Sequence, residues 1–251
     1  MNKEFIEPFG TITVSWSQKK GTRHRENQQP CEDAVFLNRG QEYLFCGLAD
    51  GQSGSRYGRA GGKACLEALC AHISTIGIGN FINAPFPDEH PCSVTKAVRQ
   101  RLGQLSESTS IPLEEFSSTL LAIAVDLNNE RYALLHLGDG CAVSVHPSRE
   151  PLLISPPETG PSPNQTWLTT SENAVSHFRI GFGSLEDKKR ILLLSDGATC
   201  LCKGRNIPRR AKELLKYSTP QELHRQLLSS NPADDATCIL LECHKEKEPS
   251  L

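Results

Sequence analysis

The stretch STLLAIAVDLNNERYALLHLGDG, residues 118–140, decides how this chain is built. Two apolar runs, Ser118 to Asp126 and Arg131 to Leu137, flank Leu127-Asn128-Asn129-Glu130 and read as a β-hairpin. The second run delivers an acidic corner, Gly138-Asp139-Gly140, at its end.

Four more corners of this kind occur, each beside a run that reads as a strand. They are Cys31-Glu32-Asp33-Ala34, Ala49-Asp50-Gly51, Ser195-Asp196-Gly197 and Asp234-Asp235-Ala236-Thr237. The adjoining runs are Ala34 to Leu37, Tyr43 to Ala49, Ile191 to Leu194 and Thr237 to Leu241. Taken singly, an Asp-Gly corner is a common hairpin turn. Taken together, they put carboxylates at many strand ends. If those ends converge, the carboxylates repel one another, and a bound divalent cation is the simplest relief. Oxygen donors favour magnesium, manganese or calcium over zinc or copper.

Outward from the hairpin, Thr11-Ile12-Thr13-Val14-Ser15-Trp16 alternates as a strand, and a polar loop is expected from Gln18 to Pro30. Apolar residues at helical spacing (Ala60, Ala64, Leu66, Leu69, Ile73) predict a helix over 54–74. Residues 77–92, rich in Gly, Pro and Asn, read as a loop, with a second helix over 93–106 capped by Ser93. Cys141 to Val145 and Phe178 to Gly183 read as strands. The segment 147–165 carries Pro147, Pro151, Pro156, Pro157, Pro161 and Pro163 and reads as a surface flap. Helices over 208–217 and 220–229 lead to the last strand. Hairpin strands with helices paired at two places predict an α+β fold with antiparallel sheets, not a doubly wound βαβ fold.

The chain has 251 residues, with 27 Lys and Arg against 29 Asp and Glu, a net charge of -2. That size suits one domain with a substantial core about 11–243 and a frayed tail over 244–251. The charge balance gives no general attraction to nucleic acid or an anionic membrane. No apolar run reaches the roughly 20 residues of a membrane span, and Met1 to Pro8 is not signal-like, so a cytoplasmic location is expected. Of ten cysteines, Cys46, Cys65, Cys70, Cys141, Cys238 and Cys243 sit in apolar patterns and read as reduced core thiols. Cys200-Leu201-Cys202 has no second pair to complete a zinc site.

Other chemistries fail on their motifs. Gly58-Arg59-Ala60-Gly61-Gly62-Lys63-Ala64 lacks the first Gly and the final Ser or Thr of a P-loop, and Gly51-Gln52-Ser53-Gly54-Ser55 misses the serine-hydrolase elbow. No His pair is spaced for zinc on a helix, and the EF-hand spacing is absent.

In their order the corners resemble the metal-dependent Ser/Thr protein phosphatases of type 2C (PPM), in particular the compact bacterial branch. Gly21-x-x-His24 through Pro30-Cys31-Glu32-Asp33-Ala34 looks like the first motif, and Leu48-Ala49-Asp50-Gly51 like the second. Ser118-Thr119-Leu120-Leu121 with Leu137-Gly138-Asp139-Gly140, Leu193-Leu194-Ser195-Asp196-Gly197 and Asp234-Asp235-Ala236-Thr237 follow in the same order. The resemblance covers about 11–243. It implies a four-layer αββα sandwich of two antiparallel sheets flanked by helix pairs, with two Mn2+ or Mg2+ ions held largely through water and bridged by a hydroxide. By that resemblance Asp33, Asp50, the Gly51 carbonyl, Asp196 and Asp234 are the metal ligands. Asp139 answers to a third, weaker metal, and Glu32 holds metal-bound water. The reaction implied is hydrolysis of phosphoserine or phosphothreonine in a protein targeted by a Ser/Thr kinase. Arg23, His24 and Arg25 are the candidates to meet phosphate, with Arg56 or Arg59 as substitutes.

The chain departs from the family at three places. Gln52 stands where many members have a His proposed as general acid, and it cannot donate a proton at neutral pH. Gly140-Cys141 replaces Ser-Arg, and Asp235 replaces a common Asn. Gln52 and the unusual loops support an alternative in which the chain is a weak or inactive pseudophosphatase serving as a regulatory binding module, with the flap around 147–170 holding a partner.

Overall fold

A computed structural model of the protein describes residues 3–9, 11–146, 150–162, 165–186, 190–202, 207 and 219–244. In chain order the strands are β1 (Lys3–Phe9), β2 (Ile12–Lys19), β3 (Ala34–Arg39), β4 (Tyr43–Ala49), β5 (Leu120–Asp126), β6 (Arg131–Leu137), β7 (Cys141–Val145), β8 (Leu152–Ser155), β9 (Arg179–Ser184), β10 (Arg190–Leu194) and β11 (Ala236–Cys243). The helices are α1 (Thr22–Glu26), α2 (Gly58–Ile76), α3 (Ile78–Ile82), α4 (His90–Thr109), α5 (Ala174–His177) and α6 (Pro220–Ser229).

The hairpin forms with Leu120 opposite Leu137 and Asp126 opposite Arg131. Its turn is organised by Asp126, whose Oδ1 accepts the backbone N–H groups of Asn128 at 3.0 Å and Asn129 at 3.1 Å. This short carboxylate supplies the acceptors that the tight turn leaves unmet. The hairpin lies in a five-stranded sheet ordered β3-β4-β5-β6-β9, and a six-stranded sheet is ordered β1-β2-β11-β10-β7-β8. Every named pairing is antiparallel.

The side-chain alternation of the strands builds the layers. Leu121, Ile123 and Val125 of β5 and Leu44, Cys46 and Leu48 of β4 face Ile191, Leu193, Ile239 and Leu241 of the other sheet. The opposite faces of β4 and β5, with Phe45, Leu120 and Ala122, pack under Leu66, Leu69 and Ile73 of α2 and Val94, Val98 and Leu102 of α4. Leu192, Leu194, Cys238 and Leu240 turn outward to Leu223 and Leu227 of α6. The central strands are thus buried on both faces, which explains their nearly continuous apolar sequence. Helix α6 starts at Thr219, whose Oγ1 accepts the Glu222 N–H at 3.2 Å, with Pro220 in the first turn. The helix expected over 208–217 and the tail over 245–251 lie outside the described residues.

The architecture is α+β with antiparallel sheets, as the element pattern predicts, arranged as the αββα sandwich that the resemblance implies, with differences in detail. β1 is an additional edge strand, paired along β2 from Lys3 opposite Gln18 to Phe9 opposite Ile12. The polar loop after β2 holds the short helix α1, and the loop over 77–92 holds α3, whose Ile78, Phe81 and Ile82 are buried. α4 begins at His90 with Pro91 in its first turn, so Ser93 is not its cap; the Ser93 Oγ instead donates to the His90 carbonyl at 3.0 Å. Cys46, Cys65, Cys70, Cys141 and Cys238 are buried, and Cys243 is part-buried. Among the described residues no helix is long and apolar enough to cross a membrane.

Candidate metal centre

Register alone carries the acidic corners to one end of both sheets. Ala34 pairs with Ala49, so Asp33 at the start of β3 lies beside Asp50 at the end of β4. Cys141 and Cys238 both pair with Leu194, so Asp139 before β7 and Asp234-Asp235 before β11 flank Asp196 after β10. The two ladders meet where β6, in one sheet, hands over to β7, in the other, through Gly138-Asp139-Gly140. Gly138 takes φ 117°, a left-handed turn open to glycine, and a Cβ there would sit 2.7 Å from the Thr119 side chain. Gly197 is required for a different reason: a Cβ would fall 2.0 Å from the Asp235 carbonyl oxygen, so only glycine lets these two corners touch.

The corners are then stitched together. Thr119 N–H donates to the Asp50 carbonyl at 2.8 Å, and Asp50 N–H donates to Thr119 Oγ1 at 3.0 Å. Ser195 N–H donates to the Thr237 carbonyl at 3.0 Å, and Thr237 N–H donates to Ser195 Oγ at 3.0 Å. The Thr237 hydroxyl donates to Asp33 Oδ2, joining one sheet to the other at the site itself. Gln18 Nε2 reinforces that joint by donating to the Asp33 carbonyl at 3.0 Å and to Thr237 Oγ1 at 3.2 Å.

The electrostatics are those of a crowded carboxylate cluster. Burial, then the charges of Asp33, Asp196 and Asp234, hold the Asp50 carboxyl well above the usual carboxylate range. Asp33 is raised by burial, with Asp235 and Asp196 adding to it and the Thr237 hydroxyl opposing. Asp139 is pushed up to about 6 by burial and by Asp196. Carboxyls crowded in this way relieve their repulsion by holding a proton, the task a divalent cation would otherwise perform. Among the described residues no three His, Cys, Asp or Glu side chains are gathered to enclose an ion directly. The donor set nevertheless suits a hard cation, being all oxygen, with Asp33 Oδ1 buried and, among the described residues, without a hydrogen-bond partner.

The basic loop divides its labour. Arg23, 66% exposed, stands with Nη1 3.5 Å from Asp234 Oδ2. Arg25 turns to Asn231 Oδ1 at 2.7 Å. His24 is buried, with Nδ1 2.8 Å from Asp235 Oδ2 and Nε2 3.6 Å from Glu32 Oε2. Arg59 donates to the Cys31 carbonyl at 3.1 Å, beside the Glu32-Asp33 corner, while Arg56 N–H donates to Glu115 Oε2 at 3.0 Å. Gln52 is exposed.

Asp235 is the residue that reading the motifs undervalued. Its Oδ1 accepts the Gly21 N–H at 2.7 Å, and its Oδ2 accepts the Glu32 N–H at 2.6 Å as well as facing His24. It therefore fastens both ends of the loop 21–32 to the start of β11. The doublet Asp234-Asp235 was the available signal: with one carboxylate turned to the cleft, the next is free to serve the backbone.

The Pro-rich excursion also reaches the site. It contains β8 and an isolated bridge between Thr159 and Thr166. Glu158 N–H donates to the Gly138 carbonyl at 3.0 Å, and the Thr166 hydroxyl, which donates to the Glu158 carbonyl at 3.3 Å, also favours the ionised form of Asp139. The Glu158 carboxylate meets His177 Nδ1 at 2.6 Å and Arg179 Nε at 3.2 Å, and Trp167 stacks on His177 at 3.7 Å. Beneath them the buried His136 ring is lowered to about 3 by burial and by Arg179, so it stays neutral.

An antiparallel αββα sandwich with carboxylates massed at one end of its sheets defines a class of protein. The family profile described as Protein phosphatase 2C matches residues 20–231, and the chain belongs to that family. Among solved structures, the S. agalactiae serine/threonine phosphatase is 16% identical with a TM-score of 0.69, covering 93% of this chain and 100% of that one. A bacterial serine phosphatase is 18% identical with a TM-score of 0.67, covering 94% and 99%. RsbX in complex with magnesium is 14% identical with a TM-score of 0.62, covering 96% and 100%. These likenesses are of fold. Among curated protein sequences nothing matches.

Proposed function

We propose that this chain is a metal-dependent phosphoprotein phosphatase acting on phosphoserine or phosphothreonine placed by a Ser/Thr kinase. The observation that carries the reading is the set of converging carboxylates in which Asp33 keeps a buried oxygen unpartnered among the described residues and Asp50 is flanked by Asp33 and Asp196. Asp33, Asp50, the Gly51 carbonyl, Asp196 and Asp234 would hold two divalent cations, manganese or magnesium, and Asp139 a third. Bound there, the cations would supply a water-derived nucleophile at neutral pH and offset the charge of a phosphate monoester during in-line displacement.

The chain's own residues prepare that step. The Thr237 hydroxyl and Gln18 fix Asp33 across the two sheets, and Thr119 fixes the backbone of Asp50. Arg23 is exposed, and its pairing with Asp234 is of the surface kind that contributes little, so its guanidinium is readily released to a phosphate oxygen. With Gln52 in the position of a general acid, the leaving alkoxide takes its proton from water. Gln52 also supports the second reading, a regulatory module that binds metal and phosphoprotein without turnover.

The test is hydrolysis of a phosphothreonine peptide and an aryl phosphate by the purified chain, with and without manganese, beside Asp50→Asn and Asp196→Asn. Manganese-dependent turnover lost in both variants is the expected result. Manganese binding without turnover by the wild type would favour the regulatory module instead.

A further inference from the structure

The loop 21–32 holds an arrangement that the ligand set does not use. Glu32 is buried, and its Oε2 has no hydrogen-bond partner among the described residues. An enclosed carboxylate oxygen without a donor is costly and poorly fixed in orientation. The group that faces it is the Nε2 of His24, at 3.6 Å. The His24 ring is anchored from behind, because its Nδ1 lies 2.8 Å from Asp235 Oδ2. Asp235 is held in turn by the N–H groups of Gly21 and Glu32. Anchor, ring and carboxylate form one chain of contacts, and Glu32 directly precedes Asp33 in the sequence.

We propose that His24 is a positioning residue that acts through Glu32: Asp235 sets the ring, and Nε2 holds the Glu32 carboxylate toward the hydration shell of a cation at Asp33. The proposal rests on the metal-phosphatase reading and deepens it. It assigns His24 to a carboxylate rather than to the substrate phosphate. Partners of this outer kind typically change metal affinity by roughly 10–100-fold when removed.

The two ring nitrogens can be tested separately. In His24→Asn the amide nitrogen takes the place of Nδ1 and keeps the link to Asp235, but nothing reaches Glu32. In His24→Gln the amide nitrogen takes the place of Nε2 and keeps the contact with Glu32. Manganese binding to the full chain is measured by calorimetry, with thermal midpoints alongside, for both variants, for Glu32→Gln and for His24→Asn combined with Glu32→Gln. The expected result is a loss of about tenfold or more in manganese affinity for His24→Asn. His24→Gln should stay within about threefold of wild type, and adding His24→Asn to Glu32→Gln should cost less than about twofold more.

The opposite ranking, with Asn tolerated and Gln damaging, would show that the ring serves only the Asp235 anchor and would overturn the proposal. So would an undiminished effect of His24→Asn in the Glu32→Gln background. If the His24 variants do not fold, Glu32→Gln alone decides: manganese affinity unchanged within about twofold would refute a role exerted through Glu32. A wild-type chain that binds no manganese would remove the metal-phosphatase reading and this proposal with it. A wild type that binds manganese without the coupling removes the proposal alone.

Discussion

Replacing Asp139 by Asn should stabilise the protein in chelator, and do so only above mildly acidic pH. The Asp139 carboxyl moves from 3.8 to about 6 on folding, through burial and the neighbouring Asp196. Between those values the folded chain keeps a proton that the unfolded chain has released, so wild-type stability falls as pH rises through that range. Fully ionised, the displaced carboxyl costs on the order of 3 kcal/mol, and partial exposure reduces this to about 1.5–3 kcal/mol. Asn keeps an oxygen for the Thr166 side chain and carries no charge. Urea unfolding, followed by fluorescence of Trp16 and Trp167, should show Asp139→Asn more stable than wild type by that amount at pH 7.5 and equal to it near pH 3.5. For a chain of this size the gain corresponds to roughly 3–12 °C in thermal midpoint. An Asn variant no more stable than wild type at pH 7.5, or a gap unchanged between the two pH values, would refute the reasoning.

Three further outcomes follow from the packing and hydrogen bonds. Thr237→Val removes the donor to Asp33 and the acceptor for Gln18, and unfolding in denaturant should show a loss of about 1–3 kcal/mol. Leu193→Ala opens a hole between the two sheets, where the leucine is fully buried, and should cost about 2–5 kcal/mol by the same measurement. Glu158→Gln takes the carboxylate from His177 and Arg179; hydrogen exchange should rise over 156–170 while the β5–β6 hairpin keeps its protection.

The strands that position the site were legible because they are central. β4, β5, β6, β10 and β11 are buried on both faces, and their apolar runs survive every tertiary influence. β1 escaped because it is an edge strand whose Glu7 and Pro8 are exposed, leaving little hydrophobic pattern to read. α3 was hidden by Gly77 and Gly79, although Ile78, Phe81 and Ile82 carry its buried face. Pro91 marked the start of α4 more faithfully than Ser93, since proline fits a first helical turn and the local chain offered no side-chain cap. In the site, the corners could be found because Asp beside Gly at a strand end is a local pattern. Of the work of Asp235 and His24 only the doublet Asp234-Asp235 gave a sign, because that work consists of hydrogen bonds between residues more than 200 positions apart.

The most direct test of the proposal that the carboxylate cluster holds two cations is a manganese-soaked crystal examined by anomalous scattering. Two peaks in the cleft bounded by Asp33, Asp50, Asp196 and Asp234, both lost in Asp50→Asn, are the expected result. Manganese absent from that cleft, or bound there equally well without the Asp50 carboxylate, would contradict it.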